Sequence, residues 1–216
     1  MNEFHLLCYL SIGLDITDQR ILHPLFVFGD YFANYYEYLS DMQAHKRALG
    51  TVPEKFRTLE LCTIAVCYNG LQLASVPNTK LYSLRTPEIC LMAVKNSGYA
   101  LKYVPEKLQT KELCMIAVHQ NGTAIQYIPT NMLTLEICET AALQHGWALR
   151  FIPDKYKTSS LCLEAVKSYS HALQCVPDEL KTLEMCYIAV RDDDWLMEFV
   201  PITLKSEVWK TIYNTP

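Results

Sequence analysis

Residues 105–128 read PEKLQTKELCMIAVHQNGTAIQYI, and the pattern of this stretch recurs in six consecutive units between residues 53 and 200. Cysteine stands at 62, 90, 114, 138, 162 and 186, alanine follows each three residues later, and a Val-Pro or Ile-Pro pair closes every unit. The prolines Pro53, Pro77, Pro105, Pro129, Pro153, Pro177 and Pro201 set a period of 24 residues, stretched to 28 between Pro77 and Pro105. A fixed period of roughly 20 to 50 residues is the signature of a stacked array, in which each unit buries its apolar face only against its neighbours. The expected fold class is all-α: a right-handed-type α-solenoid of stacked two-helix repeats with divergent N- and C-terminal caps. Residues 1–51 are expected to form an aromatic-rich helical cap, 52–201 six tandem repeats, and 202–216 a C-terminal capping helix.

Local chemistry explains why one unit folds this way. Thr110 is suited to N-cap a helix, with Glu112 adding negative charge where the helix dipole favours it. Leu113, Cys114, Ile116, Ala117 and Gln120 recur at three- and four-residue spacings and predict one stripe along this helix. Asn121-Gly122 offers a residue that tolerates positive φ, as a C-cap would. A second, shorter helix is predicted over about Thr123 to Tyr127, stopped by Pro129, which lacks an amide hydrogen and disfavours helical geometry at Ile128.

The other copies keep the cap, as Thr58, Thr86, Thr134, Thr158 and Thr182, and the small Cys/Ala pair that lets a neighbouring helix approach closely. The turn persists as Asn69-Gly70, Ser97-Gly98, Asn121-Gly122 and His145-Gly146, then becomes Tyr169-Ser170 and Asp193-Asp194, where a looser turn is expected. Four extra residues within Asn78 to Leu84 are predicted to bulge from a loop edge without disturbing the stack. Phe26, Phe28, Tyr31, Phe32, Tyr35, Tyr36 and Tyr38 crowd the N-terminal cap, where they would seal the first unit. At the other end Pro201 to Ser206 begins a further unit, but Lys210 and Tyr213 replace its cysteine and alanine.

Composition narrows the function. Half the residues are hydrophobic, 19% are charged and the net charge is -4, as in an ordinary globular protein. Mild acidity argues against binding a phosphate backbone, which needs clustered Lys and Arg. Six of the nine cysteines occupy one repeated register. Equivalent atoms of stacked helices lie about 8 to 10 Å apart, too far for a disulfide, which needs α-carbons within about 7 Å. They read as reduced, buried hydrophobes, expected in a reducing compartment: cytoplasm, or a host cytosol after secretion. No segment reaches the ~20 apolar residues that cross a bilayer, and the start lacks a basic region preceding an apolar one, so neither membrane insertion nor a secretory signal is expected.

Catalysis needs a nucleophile with its base, paired carboxylates, a metal set or a phosphate cradle, and no such motif is legible. No catalytic residue, metal or cofactor is therefore expected. Cys67 and Cys175 lie outside the repeated register without an evident basic partner. Asp192, Asp193 and Asp194 lack the interleaved spacing of a calcium loop and read as a solvated turn. Asn121-Gly122-Thr123 matches a glycosylation sequon, which the reducing compartment makes accidental.

What varies against the fixed frame is the residue after the turn: Leu71, Tyr99, Thr123, Trp147, His171 and Trp195. Three residues on stand Ala74, Lys102, Gln126, Arg150, Gln174 and Glu198. Large aromatics beside exchangeable polar groups suit a surface that reads a partner, since Trp, Tyr and Arg dominate interface hot spots. The expected partner-binding residues are Tyr99, Lys102, Trp147, Arg150, His171, Trp195 and Glu198. The competing expectation is that the aromatics simply pack on the preceding unit.

The unit V-P-E-K-L-x-T-x-E-L-C-x-x-A-V-x-x-N-G-x-A-I-x-Y-I-P around Val104 to Pro129 resembles a bacterial repeat family catalogued as a domain of unknown function. The resemblance runs from about Val52 to Pro201. Similar units are frequent in proteins that intracellular bacterial pathogens deliver into host cells, so the resemblance implies a setting and brings no catalytic residues. The expected function is a protein-protein interaction scaffold, a translocated effector or a module of one, that binds a host protein. The alternatives are an enzyme with its site in the N-terminal segment and a single-stranded RNA reader with one residue per base.

Overall fold

The computed structural model of the chain describes residues 33–79 and 83–213. Phe26, Phe28, Tyr31 and Phe32 of the expected cap lie outside these residues. Helix α1 covers residues 33–43. One ten-residue helix then opens the body of each unit: α2 Leu59–Tyr68, α3 Pro87–Asn96, α4 Lys111–Gln120, α5 Leu135–Gln144, α6 Ser159–Ser168 and α7 Leu183–Asp192. Helix α8, Ile202–Tyr213, follows the last unit. The second element of each unit is a six-residue 3-10 helix: Gly70–Ser75, Gly98–Tyr103, Gly122–Tyr127, Gly146–Phe151, Ser170–Cys175 and Asp194–Phe199. A short 3-10 turn after the opening proline, such as Glu106–Leu108, completes most units. The chain is thus an all-α solenoid in which successive helices pack on their neighbours.

All six threonine caps form. Each hydroxyl accepts from the amide three residues on, at 3.2 to 3.4 Å. The buried face differs from the predicted stripe. In α4 it consists of Leu113, Cys114, Ala117 and Val118, and the other five helices bury the same four positions. Ile116 is half-buried and Gln120 exposed. At 100° per residue Gln120 lies about a quarter-turn from the centre of that face. Its amide instead donates to Lys95 O at 3.1 Å, across the joint to the preceding helix end. Asn96 does likewise one joint earlier, donating to Cys67 O at 3.0 Å and accepting from Gly70 N at 2.7 Å.

The turn corrects a sequence expectation. Asn69, Ser97, Asn121, His145, Tyr169 and Asp193 are all extended, with φ between -145° and -157°. The left-handed region holds only one described non-glycine residue, His45 at φ 57°. Glycine follows the turn for a different reason, the approach of the next unit. A Cβ on Gly70, Gly98, Gly122 or Gly146 would stand 2.1 to 2.4 Å from the carbonyl oxygen of Ala93, Ala117, Ala141 or Ala165. The repeated alanine and the repeated glycine are therefore two halves of one contact between units. Nor do the last two units turn more loosely, because their backbone angles match the others.

A second repeated contact falls on the residue before the cap threonine, four positions after the opening proline or eight in the long unit 2. Arg57 donates to Val52 O, Gly50 O and Ser75 O, and Arg85 to Val76 O, Ala74 O and Tyr103 O. Each guanidinium thus ties the closing ends of two successive units. Lys157 and Lys181 reach Cys175 O at 2.9 Å and Phe199 O at 2.7 Å. Units 3 and 4 lack the cation. Gln109 bonds only Val104 O, leaving its buried Oε1 without a partner, and Leu133 is buried.

The insertion in unit 2 is pinched at its neck by an isolated antiparallel bridge between Asn78 and Ser83 and by Leu84 N donating to Pro77 O at 3.0 Å. At the N-terminal end Tyr35 donates to Glu60 Oε2 at 2.8 Å, and the Tyr38 ring lies 5.3 Å from Phe56. On α8 only Val208 is fully buried, while Tyr213 donates to Asp194 at 2.7 Å.

Candidate partner-binding edge

The post-turn residues begin the 3-10 helices, and that geometry sets their surroundings. With three residues per turn, positions i and i+3 eclipse, so units 2, 4, 5 and 6 present a ring on the same line as the polar residue three positions on, while units 1 and 3 carry Leu71 and Thr123 there. In unit 4 the Arg150 guanidinium lies 5.5 Å from the Trp147 ring centroid. In unit 6 the equivalent pair is Trp195 and Glu198.

From unit 4 onward the rings touch in series. Trp147 meets Tyr169 edge-on at 5.8 Å, Tyr169 lies 5.3 Å from His171, His171 lies 6.3 Å from Trp195, and Trp195 meets Phe199 at 5.1 Å. His145 also leans on Tyr169, at 5.7 Å. Trp195 is 54% exposed and Tyr169 38%, whereas Trp147 and His171 are half-buried. Arg150 and Glu198 are exposed. The expected residues Trp147, Arg150, His171, Trp195 and Glu198 therefore share one continuous edge.

Tyr99 and Lys102 stand apart. Tyr99 shares a 2.6 Å hydrogen bond with Thr123 and meets Tyr127 edge-on at 6.2 Å. Thr123, the row member of unit 3, is buried and breaks the series. The exposed Lys102 places its ammonium 5.7 Å from the Tyr103 ring. Across the joints, Tyr99 and Trp147 pack on the following unit, while Trp195 packs back on His171 of the preceding one, as the competing expectation has it.

Sequence reasoning missed Tyr169, the central ring of the series. Its signal is a large aromatic at the turn where other units carry Asn, Ser, His or Asp, which by sequence alone reads as a loosened turn. Asp193 is likewise more than a solvated turn residue. It accepts from Trp195 N at 3.0 Å and pairs with His171 Nε2 at 3.3 Å. That pair joins unit 5 to unit 6.

The thiols behave as core groups. The six repeat cysteines are fully buried and free. Burial pushes Cys62, Cys90, Cys114, Cys138 and Cys186 up to about 11, far from the reactive thiolate range. Half-buried Cys175 is raised for the same reason, and Cys67 is exposed. Cys67 borders a depression of about 440 Å³ with Gln43, His45, Thr63, Ile64 and Tyr68, and the His45 ring stacks on Tyr68 at 3.9 Å. Among the described residues no group of three His, Cys, Asp or Glu is placed to hold a metal, and no helix is long and apolar enough to cross a membrane.

The family model described as "Domain of unknown function (DUF4116)" matches residues 86–133 and again 134–181. Each match spans two of the 24-residue units and begins on a cap threonine, Thr86 or Thr134. No curated protein and no solved structure matches the chain.

Proposed function

We propose that the array is a protein-binding scaffold whose partner lies along the edge formed by Trp147, Arg150, Tyr169, His171, Trp195 and Glu198. The observation that carries this reading is the series of touching rings across units 4 to 6, open to solvent at Tyr169 and Trp195. Rigid aromatic groups lose little side-chain entropy on binding and bring a large contact area, which is why they anchor interfaces. The core-forming residues have no freedom to take part, since the Cys/Ala face is fully covered. The likeness of the units to those of translocated bacterial proteins makes a host protein the intended partner in this reading, met in a reducing cytosol. No catalytic step is proposed.

The test is affinity capture from host-cell lysate with the intact chain, compared with Trp195→Ala combined with Tyr169→Ala. Specific loss of a captured protein, with an unchanged far-UV circular dichroism spectrum, is the expected result. Equal capture by the double variant would remove this edge from consideration.

A further inference from the structure

Units 4 and 6 place the same backbone under different side chains. The residue before the 3-10 helix has φ -157° and ψ 109° in unit 4 and φ -149° and ψ 110° in unit 6. The residue closing it has φ -84° and ψ 123°, against φ -77° and ψ 129°. Positions that correspond in sequence therefore correspond in space. In unit 4 the position over the tryptophan is filled from within the chain, by the Arg150 guanidinium 5.5 Å from the Trp147 ring. In unit 6 the corresponding residue is Glu198, an acidic side chain where unit 4 has a basic one, and the groups against the Trp195 ring are the His171 and Phe199 rings.

The consequence is an open site of complementary charge. Trp195 is 54% exposed, and exposed Glu198 makes no hydrogen bond or ion pair among the described residues. Asp192 and Asp194 add exposed carboxylates on the same unit, the first 3.9 Å from Arg191 and the second accepting from the neutral Tyr213 hydroxyl. None of the nearby cations reaches Glu198: Arg191 lies 5.8 Å from the Tyr187 ring and 3.9 Å from Asp192, His171 pairs with Asp193, and Lys181 is buried against Phe199 O and Asp178. A planar guanidinium laid on an indole with its edge toward a carboxylate satisfies both groups at once.

We infer that the Trp195–Glu198 edge of unit 6 receives an arginine side chain from a basic segment of a protein partner. This rests on the protein-binding reading above and supplies the partner's chemistry: the bound arginine does in unit 6 what Arg150 does in unit 4. The acidic groups around the ring steer that segment toward it and reject acidic ones.

The three tryptophans, Trp147, Trp195 and Trp209, make the test direct. The intact chain, labelled with ¹⁵N-tryptophan, is titrated at low salt with the capped peptide Gly-Ser-Arg-Arg-Gly-Ser while the indole N–H signals are followed. Matched peptides carry citrulline or glutamate in place of arginine. The arginine peptide is expected to shift the Trp195 signal saturably, with Trp147 little moved and the other peptides inert. Glu198→Gln should weaken binding about three-fold, and Glu198→Arg, which rebuilds the unit 4 pair, should abolish it with the fold unchanged. A Trp195 signal indifferent to the arginine peptide, or an undiminished response in Glu198→Arg, overturns the inference. An equal response to the citrulline or glutamate peptide overturns it too, while leaving the edge as a docking surface. If the lysate capture also survives loss of Trp195 and Tyr169, the docking surface itself is refuted.

Discussion

Replacing Gly122 by alanine isolates the contact that sets the spacing of the array. The backbone there is not left-handed, so the substitution carries no dihedral strain, and at an unhindered site Gly→Ala would stabilise by about 0.4 to 1 kcal/mol through the unfolded chain. Here the added methyl would lie 2.2 Å from Ala141 O, 3.0 Å from His145 N and 3.1 Å from Gln144 Cβ. The first obstacle is backbone held inside α5, so relief requires unit 4 to move by about 1 Å, an overpacking cost of about 1 to 3 kcal/mol. For a chain of this size that corresponds to a fall in melting temperature of roughly 2 to 12 °C. Urea unfolding followed by far-UV circular dichroism measures it. Asn121→Thr is the companion variant: the extended Asn121 accepts a β-branched residue with at most about 1 kcal/mol lost, whereas a left-handed residue there would not. A Gly122→Ala protein as stable as the parent, or a severely damaged Asn121→Thr protein, would refute the close-approach account.

Gln109→Arg should raise stability by about 1 kcal/mol, because it supplies the missing tie between closing ends and removes the unpartnered amide oxygen; an unchanged urea midpoint counts against this. Thr134→Ala should cost about 1 kcal/mol through loss of the bond to Ile137 N while Thr134→Ser costs little, again read from urea midpoints. The buried thiols give a pH dependence of definite sign. Their folded pKa near 11 exceeds the usual 9.0, so the unfolded chain loses protons first and stability falls as pH rises from about 9 to about 11. Replacing Cys114 and Cys138 together by alanine should make that fall shallower, without abolishing it, in urea midpoints measured across this window. In native protein at pH 8 a thiol reagent should label Cys67, with the six repeat cysteines protected until unfolding, as peptide mass mapping would show.

The solenoid was legible because the period, the cap threonines and the Cys/Ala pairs are local or strictly repeated signals. Thr110 specifies its bond to Leu113 N within one turn of chain, so reading it needs no knowledge of neighbours. The glycine was misread for the opposite reason. Gly122 is explained by Ala141 O, 19 positions away in the next unit, and a residue's permitted φ says nothing about what approaches it. The Arg57 and Lys181 ties were hidden similarly, since a cation four residues after a proline reads as plain surface until the closing-end carbonyls it reaches are in place. Tyr169 shows the same limit at the candidate edge. Its role depends on Trp147 and His171 standing on either side, which only the stacking reveals.

That stacking also explains why the edge, not the helix face, is free to change. Each ten-residue helix commits Leu or its equivalent, Cys, Ala and Val to both neighbours at once, so altering any of them disturbs two joints. The 3-10 helix that follows turns once every three residues and gives two of its three lines of side chains to the core and the third to the outside. Within Gly146–Phe151 the core lines carry Ala148 and Leu149, and the outer line holds Trp147 and Arg150. Exchanging arginine for glutamate on that outer line, as between Arg150 and Glu198, reverses the charge beside an indole and leaves every buried contact as it was. One frame can therefore present a self-satisfied ring in unit 4 and an open, acid-flanked ring in unit 6, and specificity along the edge is set two side chains at a time.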